Sequence, residues 1–195
     1  MSPAKREHIL IGLTGSIAGG KSTALACFEK LGAATLSADE IVRGLYQKPS
    51  VRRTLNDWFG TGDPAQIASF VFGDAAVRKQ LEALLHPLVW QEMQAQLKKI
   101  PVRCVVLELP LLFEAGWEKR VDITLLICGG KKSLGARLKA RGLDVKEYQK
   151  RLAAQLPEAE KIRRADVCVF NDATPRELEE KITRFYKALK LIYHF

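Results

Sequence analysis

Between Ile11 and Ala24 the chain reads GLTGSIAGGKST, and within it Gly15-Ser16-Ile17-Ala18-Gly19-Gly20-Lys21-Ser22 meets the spacing G-x-x-x-x-G-K-[S/T]. Residues of these types at this spacing hold phosphate. Small side chains let successive backbone N–H groups turn inward around an anion. The N–H groups and positive dipole end of the helix that follows add to that field. Lys21 then brings a cation to the β- and γ-phosphates, and the Ser22 hydroxyl a ligand for Mg²⁺. Gly15, Ser16, Ile17, Ala18, Gly19, Gly20, Lys21, Ser22 and Thr23 are therefore the candidate nucleotide-binding residues, with Ser22 as the metal ligand.

Other residues could act on what the loop holds. Asp39 lies just past the second apolar run, at the edge where ligands of α/β sheets collect. It is a candidate to orient an acceptor hydroxyl and take its proton, or it is an acid that the dipole favours at a helix start. Arg43, one turn later, is a candidate contact for an acceptor phosphate. Glu108 closes the run Cys104-Val105-Val106-Leu107 as a carboxylate that could place Mg²⁺ through water or support the loop. Arg137 and Arg141 are four apart and share a helix face, where they could neutralise a transferring phosphoryl group. Arg151, Gln155, Lys161, Arg163 and Arg164 follow, either as further phosphate contacts or as a solvated basic face. Glu114 is open between a site role and a structural one.

These residues need a scaffold, and the apolar pattern supplies one. Runs of strand length recur at Ile9–Leu13, Ala33–Leu36, Val102–Leu109, Ile123–Cys128 and Val167–Phe170, with helical periodicity between them. That alternation predicts βαβ units and a mostly parallel sheet buried on both faces. Ala24, Leu25, Phe28 and Leu31 form a helical stripe that Gly32 ends. Thr174-Pro175-Arg176-Glu177 provides an N-cap, a first-turn Pro and a capping-box Glu. Leu178, Ile182, Phe185, Leu189 and Ile192 then predict the buried stripe of the last helix. Ser37-Ala38-Asp39-Glu40 likewise reads as a capping box opening a helix with Ile41, Val42 and Leu45. Two spans leave the alternation: 37–99, helical and broken by the turn NDWFGTGDP at 56–64, and 131–164, a basic helical pair.

The 195 residues suit one domain with inserted parts. No stretch reaches the roughly 20 apolar residues of a membrane span, and the first residues lack the apolar core of a signal peptide. The cytoplasm is the expected compartment, with no membrane partner. Cys27, Cys104, Cys128 and Cys168 are too scattered for a zinc site and read as reduced thiols. The net charge of +9 favours phosphate-bearing partners without choosing among them. A nucleotide-gated nucleic-acid-binding module is one alternative, but basic residues interleaved with aromatics are missing, so no nucleic-acid partner is expected. The GTPase base-reading NKxD and the transporter signature LSGGQ are absent, and Asp57-Trp58-Phe59-Gly60 follows no apolar strand. Small size, a helical insertion and a basic span point instead to a small-molecule phosphotransferase.

The whole pattern resembles the dephospho-CoA kinases. GLTGSIAGGKST, SADEIVRGLY, VFGDAAVRKQLEALLHPLV, ELPLLFEAGWEKRVD and RLAAQLPEAEKIRRADVCVFND match in order and cover nearly the whole chain. The resemblance implies a P-loop NTPase fold, three-layer α/β/α with a parallel five-stranded sheet. Residues 1–195 would form a single kinase domain, with its core at 1–39, 100–130 and 165–195. A helical acceptor-binding region would occupy 40–99, and a basic helical lid 131–164. It implies ATP-dependent, Mg²⁺-requiring phosphorylation of the ribose 3′-hydroxyl of dephospho-CoA, by a monomer or weak homo-oligomer. A kinase for another small nucleotide or metabolite is the nearest alternative. The resemblance also makes Lys21, Asp39, Arg137 and Arg141 the catalytic set, with Asp39, Arg43, His86 and Glu108 toward the acceptor. His86 enters through the His-Pro pair, expected at a helix end, and Asn171 through an expected adenine contact. Ser37 stands where the family has its first Asp, Glu108 where an Asp precedes PLLFE, Ser16 and Ala18 where glycines are usual, and Pro64 where an Arg is common.

Overall fold

The computed structural model describes residues 8–129, 152, 155–172 and 174–195. Arg137, Arg141 and Arg151 lie outside the described residues. Five strands form one sheet: β1 (Ile9–Gly15), β2 (Ala34–Ser37), β3 (Cys104–Glu108), β4 (Ile123–Gly129) and β5 (Val167–Asn171), in the order β2-β3-β1-β4-β5. β1 lies parallel between β3 and β4, with Leu13 opposite Glu108 on one side and Leu125 on the other. β5 runs parallel on the far side of β4. Every residue of β1 is buried, as an uninterrupted apolar strand covered on both faces must be.

Two aspartates pin the strand starts. Leu10 N donates to Asp122 Oδ2 at 2.8 Å, and Asp122 N donates back to Leu10 O at 2.9 Å. Thr124 N and Oγ1 both donate to Asp166 Oδ2, at 2.8 and 2.6 Å, while Asp166 N donates to Thr124 Oγ1 at 2.8 Å. Each carboxylate satisfies donors at a sheet end that would otherwise be buried unpaired.

On one face pack α1 (Lys21–Lys30) and the last helix, α7 (Pro175–Tyr193). Phe28 meets Phe185 and Tyr186 edge to face at centroid separations of 6.2 and 5.9 Å, the geometry that ring quadrupoles prefer. Thr174 Oγ1 accepts from Glu177 N at 3.3 Å, so the expected cap forms. The stripe differs from expectation at its far end. Leu178, Ile182, Tyr186 and Leu189 are buried and Tyr193 packs at the core margin, whereas Ile192 is 67% exposed and Phe185 only partly buried. Helical spacing carries the stripe from 189 to 193 rather than to 192.

The other face of β1 is closed by the stretch 109–121, where Leu109, Leu112, Phe113 and Trp117 are buried. A Cβ at Gly12 would come within 3.1 to 3.3 Å of Val121 and Leu112.

Residues Ser37–Ile100 form a second compact unit. It consists of α2 (Ala38–Leu45), α3 (Pro49–Phe59), α4 (Pro64–Gly73) and α5 (Ala75–Leu97). The turn expected at 56–64 is shorter than expected, because α3 runs on through Phe59: Gly60, at φ 68°, ends α3, and Asp63 Oδ1 accepts from Ala65 N at 2.9 Å to start α4 at Pro64. Asp74 starts α5 by accepting from Ala76 N and Val77 N. α5 packs against α2 and α4. Two expectations fail here. Ser37 stands before α2 with the extended backbone usual for a capping residue (φ −110°, ψ 125°), but its side chain makes no cap bond, so the capping box does not form. His86 does not end a helix either, because α5 continues through Pro87 to Leu97. The proline leaves the Ala83 carbonyl without its helical donor, at an exposed position where water can take that place. No described helix is long and apolar enough to cross a membrane.

Candidate active site

β1 is the central strand of the sheet, and its chain continues directly into the phosphate-loop motif. The sheet shapes this loop by close approach. A Cβ at Gly15 would lie 2.4 Å from Ile127 O of β4, and one at Gly20 2.4 Å from Asn171 Nδ2. Gly20 also has φ 111°, a conformation that side chains resist. Ala18 accepts a left-handed φ of 57° while almost fully buried, so this loop keeps its shape without the usual glycine there. Gly19 N donates to Ser16 O at 3.0 Å across the loop.

Lys21 is 8% exposed, and its Nζ donates to Gly15 O at 2.9 Å and Ser16 O at 3.0 Å. Its ammonium therefore lies across the mouth of the loop on neutral carbonyls. No side chain caps α1, whose N-cap is Gly20, and its first turn holds no acid. A helix start of this kind presents first-turn N–H groups and a positive dipole end to an anion. Ser22 is exposed in that turn, with Thr23 beside it. Glu108 ends β3 opposite Leu13, and Leu109 N donates to Leu13 O at 2.9 Å. The carboxylate so stands at the same sheet end as the loop.

Asn171, at the end of β5, is buried, and its Nδ2 donates to Gly19 O at 2.8 Å. Its side chain braces the loop, a use that the expected adenine contact did not disclose. Of the described basic residues at 151–164, Lys161 is buried and Arg164, though exposed, is engaged by protein groups. They belong to α6 (Glu158–Arg164). Lys161, 2% exposed, pairs with Glu114 at 3.0 Å and donates to Gln155 Oε1 at 3.1 Å. Glu114 Oε1 also accepts from Leu156 N at 2.7 Å. Arg164 pairs with Glu118, donates to Phe113 O at 3.3 Å and lies over the Phe113 ring at 5.0 Å. Arg163 makes an exposed pair with Glu160. The signal for Glu114 was present in the sequence: a carboxylate after four mostly apolar residues needs a buried partner.

In the helical unit, Asp39 is exposed in the first turn of α2. Arg43 lies one turn on, in an exposed 3.6 Å pair with Glu40. His86 is half-buried in α5; burial lowers its pKa below the ordinary imidazole value and Glu82 partly opposes that.

A phosphate loop leading from the central strand of a parallel sheet into a helix open at its N-terminus defines a P-loop nucleotide-binding protein of the small-kinase kind. The description dephospho-CoA kinase belongs to the family model that matches residues 9–177. A dephospho-CoA kinase of Geobacter sulfurreducens is 36% identical over 190 residues, spanning 91% of this chain and 96% of that protein. One from Symbiobacterium thermophilum is 40% identical over 177 residues, spanning 83% and 73%. The crystal structure of TT1252 from Thermus thermophilus superposes with a TM-score of 0.83 at 34% identity, over 94% of this chain and 99% of that one. The chain belongs to the dephospho-CoA kinase family.

Proposed function

We propose that this chain transfers the γ-phosphoryl group of ATP to the ribose 3′-hydroxyl of dephospho-CoA, in the cytoplasm, giving coenzyme A and ADP. The observation that carries the reading is the loop itself, with Lys21 stretched over carbonyls below an uncapped helix start, in a chain of this family. Phosphoryl transfer asks little covalent chemistry of a protein and much positioning and charge stabilisation. The loop N–H groups and the first turn of α1 bind the phosphates, and Lys21 turns from Gly15 O and Ser16 O to the oxygens that gain charge. The donor set suits Mg²⁺, a hard cation that takes oxygen ligands: the Ser22 hydroxyl directly and the Glu108 carboxylate through water. When bound, Mg²⁺ neutralises phosphate charge. Asp39 aligns the acceptor hydroxyl and receives its proton as the new bond forms. Arg43 and His86 act toward the acceptor, and Arg137 and Arg141 toward the transferring group. Asn171 keeps the loop in shape, and the adenine contact is assigned to it as well.

The test is an ADP-release assay coupled to NADH oxidation, with dephospho-CoA set against AMP, shikimate and gluconate. Turnover with dephospho-CoA alone is expected. Equal or faster turnover with another acceptor refutes the assignment and leaves a kinase of different substrate.

A further inference from the structure

The Ser16 hydroxyl is used twice. It accepts from Gly129 N at 3.3 Å and donates to Glu158 Oε2 at 2.8 Å. Glu158 is the first residue of α6, and α6 is held in place by the buried Lys161–Glu114 pair and by Arg164 on Glu118 and Phe113. The carboxylate is therefore set against the loop by a fixed helix, not by its own flexible arm. Glu158 is half-buried and forms no ion pair among the described residues. Its field reaches the end of β4. The Cys128 thiol is pushed up to about 12, first by burial and then by the Glu158 carboxylate and other neighbours, Asp172 among them.

A phosphate loop works by gathering positive potential from backbone N–H groups, a helix start and a lysine. A fixed anion bonded to the second residue of that loop subtracts from it. We propose that Glu158, anchored on Ser16, sets nucleotide affinity by charge: it weakens binding in proportion to the charge of the phosphate chain and so eases release of the diphosphate product. The inference rests on the reading of the loop as an ATP site. It makes Glu158 a specificity residue and Ser16 its anchor, and a purely structural Ser16–Glu158 bond has different consequences. Glu158→Gln keeps an acceptor for the Ser16 hydroxyl and removes only the charge. Glu158→Ala removes both.

Equilibrium binding of ATP, ADP and AMP to the full chain, by competition with a fluorescent ATP analogue, separates the two. A unit charge within about one Debye length of the phosphates should change ATP affinity by about three- to tenfold at low salt. Glu158→Gln and Glu158→Ala are both expected to bind ATP tighter by that factor, ADP by less, and AMP within about twofold of wild type. The gain should shrink as salt is raised to about 0.5 M. Unchanged or weaker ATP binding by Glu158→Gln, or an equal gain for all three nucleotides, overturns the proposal. Loss of affinity in the Ala variant alone does so too, since it assigns the bond a structural role. If wild type and Lys21→Ala both fail to bind ATP, the nucleotide-site reading falls first, and the charge proposal with it.

Discussion

Replacing Lys161 by Met removes an ammonium from the place where burial makes its loss most costly, while a chain of similar length still fills the space. Lys161 is 2% exposed, 3.0 Å from Glu114 and 3.1 Å from Gln155 Oε1. Without it Glu114 keeps the Leu156 N–H at 2.7 Å, but its other oxygen is buried with no hydrogen bond. Breaking a buried pair from one side costs about 3–5 kcal/mol. The 15% exposure of Glu114 and its remaining bond place the loss near the lower end, at about 3 kcal/mol. In a chain of this size that lowers Tm by about 6–12 °C. Changing Glu114 to Gln as well keeps an acceptor for Leu156 N and leaves no charge to desolvate. The double variant should therefore return to within about 1 kcal/mol of wild type. Urea melts followed by circular dichroism measure all four corners of the cycle. A single variant as stable as wild type, or a double variant whose losses simply add, refutes the picture of a buried, mutually dependent pair.

Gly20→Ala forces a Cβ to 2.4 Å from Asn171 Nδ2 at a φ of 111°, so ATP affinity should fall by about tenfold or more and stability by about 1–2 kcal/mol; wild-type nucleotide titrations would refute the brace. His86 has its pKa lowered by burial, with Glu82 opposing. A folded pKa below the unfolded value gives stability that is present above about pH 6.5 and lost as pH falls through the folded value. Urea midpoints of His86→Leu should accordingly decline less than those of wild type between about pH 7 and pH 5, and parallel profiles would remove His86 as the cause. Burial pushes the Cys104 and Cys128 thiols up to about 12, so at about pH 8 a maleimide should label neither in the native chain and both in urea. Because the unfolded thiols ionise first, each also lowers stability as pH rises from about 9 toward 12; rapid native labelling of either contradicts their burial.

The strands were legible because β1, β3 and β4, covered on both faces, need uninterrupted apolar runs, and the shorter runs of the partly exposed edge strands β2 and β5 became strands too. Turn chemistry was legible at Gly60 and Asp63, inside the expected turn, and at Thr174, which act as their types predict. Ser37 has the same extended backbone as the working caps Asp63, Asp74 and Thr174, so its missing cap bond is a matter of its side chain and not of β2. Pro87 was a poor stop signal because one lost hydrogen bond at an exposed carbonyl is outweighed by the packing of Leu81, Leu85, Val89 and Met93 along α5. The loop was readable as a motif, but not its supports. Asn171 and Glu158 reach it from more than a hundred residues away, and no local pattern marks such contacts. Lys161 looked like one of many surface cations because composition says nothing of which cation faces Glu114.

The braces of the loop have a temporal side. Ser16, Gly19 and Gly20 are made early in synthesis, but Gly129, Glu158 and Asn171, which hold them, come 113 to 152 positions later. Contacts of that separation form late, since the intervening chain must first be closed into a ring at an entropic cost. A nascent chain ending before β5 therefore has the complete motif and still lacks the Asn171 bond to Gly19. A ligand held by the fully braced loop stabilises the finished fold, in which the last strand has docked.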